Sequence, residues 1–212
     1  MKGFDLSQQD GGPIDPGRTA LLGIHWQTDL IDPKGAFGPI FADAVAASGV
    51  VQRTSALFQQ ARRAGCRIIF ANIVYRPGYT GHVANNTLFR QASRTQGFVE
   101  GTPGAGVDPA FGPEPGDIVM AHSRSSAFFG SDLLSILVGG NIQALVLTGI
   151  ATNVAVDHTA RDAMQYGFRT VLVEDCCLSS DPDLHRASLA TMRVLCSDVL
   201  TSEAFVQLIE AS

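Results

Sequence analysis

The stretch ALVLTGIATNVAV, residues 144–156, decides the fold of this chain because it joins two kinds of secondary structure directly. Its first seven residues, ALVLTGI (144–150), are nearly all apolar, which predicts a strand buried on both faces of a sheet. The residues after it, NVAVDHTARDAMQYG (153–167), predict a helix. A buried strand that leads at once into a helix is typical of parallel strands joined by crossover helices.

The same alternation of short apolar runs and helical segments continues on both sides of this stretch. Further strands are predicted at TALLGI (19–24), CRIIFANI (66–73), IVMA (118–121) and RTVLVED (169–175), and a last strand–helix pair is predicted from Asp198. Further helices are predicted at ADAVAASGVVQRTSALFQQARRAG (42–65), SDLLSILVGG (131–140) and DPDLHRASLATMRVL (181–195). This pattern predicts the α/β class with a parallel sheet.

One segment breaks the alternation. Residues 75–116 are rich in Gly, Pro, Asn and Thr, which predicts a long loop. A loop of this length inside a compact domain is usually a lid, a binding loop or an interface arm. The sequence leaves these three alternatives open.

Composition limits the class of function. The chain has 212 residues, which fits one domain, predicted at residues 19–212 after an N-terminal extension at residues 1–18. The formal net charge is -5, and no run of Lys or Arg occurs, which argues against nucleic acid as a partner. No stretch approaches the roughly 18 apolar residues of a membrane span, and no signal peptide is visible. We therefore expect a soluble, cytoplasmic homo-oligomer, a dimer or tetramer, that binds a small molecule.

The four cysteines lack the spacing of zinc or redox sites and are predicted to be reduced, structural thiols.

In an open parallel sheet, ligands bind beyond the carboxyl ends of the strands. Those ends carry four polar groups that can converge: His25 to Asp29, His122 to Arg124, Ala151 to Asn153, and Glu174 with Asp175. No GxGxxG motif follows the first strand and no P-loop motif occurs, which argues against a nucleotide site.

Four blocks of the chain resemble the isochorismatase-like, or cysteine hydrolase, superfamily. They are LLGIHWQTDLID, SRSSAFFGSDL, LVLTGIATNVAVDHTARDAMQYGFRTVLVEDCC and DPDLHRASLATM, of which TGIATN is the most specific part. The resemblance runs from about Thr19 to the C-terminus. It implies a three-layer α/β/α fold with a six-stranded, mostly parallel sheet of Rossmann-like topology, and assembly into oligomers.

The amidases of this superfamily use an Asp, Lys, Cys triad, and this chain departs from it at all three positions. The resemblance places His25 at the Asp position, His122 at the Lys position and Ala155 at the Cys position. An alanine cannot attack a carbonyl carbon. We therefore expect that this chain is not a cysteine-dependent amidase of the family type.

The backbone of the site is expected to persist. The resemblance implies a cis peptide bond between Ile150 and Ala151, and an oxyanion site made by the amides of Ala151 and Ala155. Backbone donors at the start of a helix favour an anionic oxygen whatever side chains stand there. Candidate substrate-binding residues are Ala151, Asn153, Asp29, Trp26 and Tyr75.

Three hypotheses of function follow. In the first, His25 is the acid or base of a hydrolase that uses water, with His122 as its partner, one ring neutral and the other able to act as acid. In the second, the chain is a pseudoenzyme that binds a ligand or assembles without chemistry. In the third, the two histidines bind a metal ion completed by Asp29 or water. We favour the first, with no resident metal or cofactor.

Overall fold

A computed structural model describes residues 12–211 and contains one six-stranded sheet in the order β3-β2-β1-β4-β5-β6. All five neighbouring strand pairs are parallel, as the alternating pattern predicts. Residues 1–11 of the predicted extension lie outside the described range. The strands are β1 (Thr19–Ile24), β2 (Arg67–Ile73), β3 (Ile118–His122), β4 (Ala144–Ile150), β5 (Arg169–Leu178) and β6 (Asp198–Leu200).

Within residues 12–211, eight α-helices cover the sheet and connect the strands. They are α1 (Thr28–Ile31), α2 (Gly38–Ser48), α3 (Val50–Ala64), α4 (Thr87–Thr95), α5 (Leu133–Gly139), α6 (Asp157–Gln165), α7 (Pro182–Leu195) and α8 (Ser202–Glu210). None of the described helices is long and apolar enough to cross a membrane.

The two faces of the sheet carry separate hydrophobic clusters, which makes the molecule three layers thick. Successive side chains of a strand point to opposite faces, and β4 shows this: Val146 lies in one cluster, whereas Leu145 and Leu147 lie in the other. Phe58 of α3 joins the first cluster, and Met192 of α7 joins the second. The predicted three-layer α/β/α fold is confirmed.

Two predictions of local structure are wrong. The helix predicted over residues 42–65 is two helices, because Gly49 adopts φ 65° between α2 and α3. Glycine reaches this left-handed conformation without the steric cost of a Cβ, and it commonly ends a helix. The predicted loop 75–116 contains α4, whose first turn is capped by the Asn86 side chain, which accepts a hydrogen bond from the Phe89 amide at 2.9 Å.

Candidate active site

The carboxyl ends of β1, β3 and β4 bring three of the predicted residues to the same edge of the sheet. His25 follows β1 directly, and its amide donates to the Ala71 carbonyl of β2 at 2.9 Å. His122 is the last residue of β3 and pairs in register with Ile73 of β2. Ala155 lies in a single π-helical turn, Thr152–Val156, which connects β4 to α6. The parallel topology therefore brings these residues, which are far apart in sequence, to one edge of the sheet.

His25 and His122 form a buried pair of imidazoles. Their Nε2 atoms are 3.0 Å apart, and the rings stack with centroids separated by 4.9 Å. His25 is 6% exposed and His122 is 3% exposed. Since each neutral imidazole has one N–H and one bare nitrogen, one ring donates this hydrogen bond and the other accepts it.

Neither ring is charged at neutral pH. Burial lowers the pKa of His122 from 6.5 to about 4, because the charged form loses its hydration. Burial also holds the pKa of His25 well below its usual value, and the neighbouring His122 lowers it further. The expectation that one ring serves as an acid stays a prediction; the lowered pKa values favour two neutral rings, each able to accept a proton.

An apolar cavity of about 200 Å³ lies against this pair, with His25 in its wall. Ala151, Asn153 and Ala155 line the same cavity, as the resemblance implies for a substrate site. The peptide bond between Ile150 and Ala151 is cis, also as expected. Asn153 is fixed from behind, since its Oδ1 accepts a hydrogen bond from the Ser179 hydroxyl at 2.7 Å.

Aromatic side chains from outside the sheet close this cavity, and sequence reasoning missed them. Phe37 precedes α2, Phe89 belongs to α4, and Phe98 follows α4. Phe37 and Phe98 pack against each other with ring centroids 5.1 Å apart. The segment 75–116 therefore supplies a wall of the cavity, and the only sequence signal for this was its aromatic residues among Gly and Pro.

Tyr75 and Trp26, both predicted to bind substrate, lie in different places. Tyr75 follows β2 and lines the cavity. Trp26 is completely buried, packs on Phe111 with centroids 4.8 Å apart, and donates from Nε1 to the Thr148 hydroxyl at 3.1 Å. Trp26 is a core residue that does not line the cavity.

The Asp29 carboxylate binds backbone amides and does not line the cavity. Its Oδ1 accepts a hydrogen bond from the Ala36 amide at 3.1 Å, and its Oδ2 accepts one from the Phe98 amide at 2.6 Å. Charge-assisted hydrogen bonds of this kind are about twice as strong as neutral ones. Asp29 therefore ties the segment that carries Phe98 to the end of β1.

Replacing Gly104 by alanine tests this role of Asp29. A Cβ at Gly104 would lie 2.3 Å from the Asp29 carboxylate oxygen, so the carboxylate must move and weaken its two hydrogen bonds. We expect Gly104→Ala to lower the free energy of unfolding by about 1–3 kcal/mol, measured by urea denaturation. Gly139→Ala is the matched control, because nothing lies within 4 Å of its added Cβ. Equal stability of the two variants would contradict the bracing role of Asp29.

No cysteine lines the cavity, although the chain has four. All four are free thiols. Cys176 is 0% exposed, and burial raises the pKa of its thiol to about 12. A buried thiol with a raised pKa is a poor nucleophile, since only the thiolate attacks.

No metal-binding cluster is present among residues 12–211, in the sense of three or more His, Cys, Asp or Glu side chains that could hold one ion. The two-histidine site needs a third ligand, and Asp29 is engaged by backbone amides instead.

Comparisons with known proteins agree with this architecture. The model of the isochorismatase domain family matches residues 19–204. Maleamate amidohydrolase from Pseudomonas putida is 32% identical over 191 residues, which cover 90% of this chain and 86% of the relative. Ureidoacrylate amidohydrolase from Methylobacterium radiotolerans is 30% identical over 205 residues, which cover 91% and 80% respectively. The structure of a cysteine hydrolase from Pseudomonas syringae pv. phaseolicola is similar in fold, with a TM-score of 0.85, 23% identity, and coverage of 94% of this chain and 96% of that one.

Proposed function

Since this chain belongs to the isochorismatase family, we propose that it hydrolyses a small molecule without the cysteine nucleophile of the family's amidases. The triad positions hold His25, His122 and Ala155 in this proposal. The observation that carries it is the buried pair of imidazoles, with Nε2 atoms 3.0 Å apart, one of which borders the apolar cavity.

The proposed chemistry is attack by water on a polarised carbon of the substrate. His25 takes a proton from the water as it attacks, and the hydrogen bond to His122 spreads the resulting positive charge over two rings. The amides of Ala151 and Ala155 stabilise the negative oxygen that develops, in the manner of an oxyanion hole. The proton on the histidine pair then passes to the leaving group as its bond breaks. Atoms and charge balance with water as the only co-substrate.

The apolar walls support this scheme. Phe37, Phe89 and Phe98 exclude bulk water, which strengthens every electrostatic interaction inside the cavity. A cavity of about 200 Å³ fits a small substrate. Two relatives are named as amidohydrolases, which makes small amides the first substrates to try.

A second candidate function is ligand binding without chemistry. Its support is the same histidine pair: the two Nε2 atoms face each other, and the pKa of His122 is about 4, which makes it a weak base at neutral pH. In this alternative the pair is a neutral, uncharged part of a binding pocket.

A substrate screen separates the two candidates. The purified chain is assayed with small amides, esters, lactones and enol ethers, including maleamate and ureidoacrylate, and thermal-shift binding is measured with the same compounds. The hydrolase proposal expects turnover of at least one compound that also stabilises the protein. Stabilisation without turnover across the whole panel would reject the hydrolase in favour of the binding function.

A further inference from the structure

A second cavity, of about 370 Å³, lies on the side of His122. Its wall includes His122, the last residue of β3, and Arg124 just after it, together with Tyr75 and Arg76, which follow β2, and Glu100. Tyr75 lines both this cavity and the apolar one, and each cavity has one histidine of the pair in its wall. The two cavities therefore adjoin the same imidazole pair but differ in their chemistry.

The charged side chains of this second cavity are not neutralised by one another. Among the described residues, neither Arg76 nor Arg124 forms an ion pair with a carboxylate. Within the same range the Glu100 carboxylate forms no ion pair either, and the Glu100 backbone amide donates to the Tyr75 carbonyl at 2.8 Å. Arg124 is nevertheless held in place: its Nη1 donates to the Val83 carbonyl at 3.2 Å, and its guanidinium lies 5.1 Å from the centre of the Phe89 ring. A positioned guanidinium without a carboxylate partner is suited to bind one.

The Tyr75 hydroxyl, in the same wall, has no hydrogen-bond partner among residues 12–211, although Tyr75 is only 3% exposed. Buried polar atoms are nearly always paired, because an unmade hydrogen bond costs free energy. Burial raises the pKa of Tyr75 far above its usual value, which keeps its hydroxyl protonated as a donor.

We propose that this second cavity binds the carboxylate group of a small molecule, held by Arg76 and Arg124 with the Tyr75 hydroxyl as a further donor. Two arginines and one glutamate give a formal charge of one positive unit, which matches a single negative charge better than a doubly charged phosphate. The planar guanidinium fork also matches the geometry of a carboxylate. Carboxylate binding here does not depend on hydrolysis, so a binding measurement tests it whether or not the chain turns over a substrate.

Isothermal titration calorimetry with crotonate tests the proposal, with crotonamide as a neutral probe of the same shape and inorganic phosphate as a second anion. We expect crotonate to bind and crotonamide to bind at least about tenfold more weakly, since a charge-assisted hydrogen bond is lost. Arg76→Gln and Arg124→Gln are each expected to weaken crotonate binding about tenfold or more. Tyr75→Phe is expected to weaken it severalfold.

Control variants identify the cavity that is occupied. Arg94→Gln removes an exposed arginine of α4 that does not line this cavity, and it should leave the affinity for crotonate unchanged. Ala155→Val narrows the apolar cavity. Once its thermal midpoint shows that this variant folds, its affinity for crotonate should also equal that of the wild type. Absence of crotonate binding, equal binding of crotonamide, insensitivity to both arginine variants, loss in Ala155→Val, or tighter binding of phosphate would each overturn the proposal.

Discussion

Replacing His25 by asparagine is expected to lower the turnover number of any substrate found in the screen by about 10²-fold or more, the usual effect of losing an acid/base group. His25 has φ 58°, a left-handed conformation that asparagine tolerates better than most side chains. The variant therefore removes the imidazole without straining the backbone at the end of β1. Steady-state kinetics on the wild type and the variant give the measurement.

The matched control is His158→Asn. His158 is exposed on α6, where its Nδ1 bonds the Val154 carbonyl at 2.7 Å, and it does not line the cavity. We expect this control to keep the wild-type rate. A His25→Asn variant that turns over substrate within a fewfold of the wild type would remove His25 from the mechanism.

Stability is expected to fall steeply between pH 6.5 and pH 4. The pKa of His122 is about 4 in the folded chain and about 6.5 when unfolded, so on acidification the unfolded chain binds this proton first. The stabilisation is therefore complete above pH 6.5, is lost as the pH falls through this window, and is absent below about pH 4. For His122 alone the loss is on the order of 3 kcal/mol, and the lowered pKa of His25 acts in the same direction.

Urea denaturation at steps between pH 7 and pH 4 measures this loss. The double variant His25→Asn, His122→Gln lacks both imidazoles and should show a much shallower dependence of stability on pH. Gly139→Ala, which changes no titratable group, should keep the wild-type slope. Identical slopes in the wild type and the double variant would show that the pair is not held neutral.

Much of the fold could be predicted from local pattern because a parallel sheet buries its strands on both faces. The run at residues 144–150 coincides with β4, and the run at residues 19–24 coincides with β1. The division of the predicted helix at Gly49 was not predictable from periodicity, since apolar residues continue across it. Its cause is backbone conformation, which glycine permits but does not dictate.

The position of the site could be predicted from the sequence, but the protonation of its histidines and the contacts of their neighbours could not. The carboxyl ends of the strands do bring His25 and Ala155 to one cavity. The state of the imidazoles depends on burial by residues far away in sequence, and no local pattern encodes it. Asp29 and Trp26 lie close to His25 in sequence, yet the Asp29 carboxylate accepts a hydrogen bond from the Phe98 amide and the Trp26 indole donates one to the Thr148 hydroxyl. Such contacts arise only when the chain has folded.

The central claim, hydrolysis without a cysteine, is tested most directly by a chain that has none. All four cysteines, Cys66, Cys176, Cys177 and Cys196, are replaced by alanine, and turnover of the substrate from the screen is measured beside the wild type. The account predicts that the cysteine-free chain, once shown to be folded, keeps its turnover number, and that adding His25→Asn in this background abolishes it. Loss of turnover on removal of the cysteines, with a covalent substrate adduct on one of them in the wild type, would contradict it.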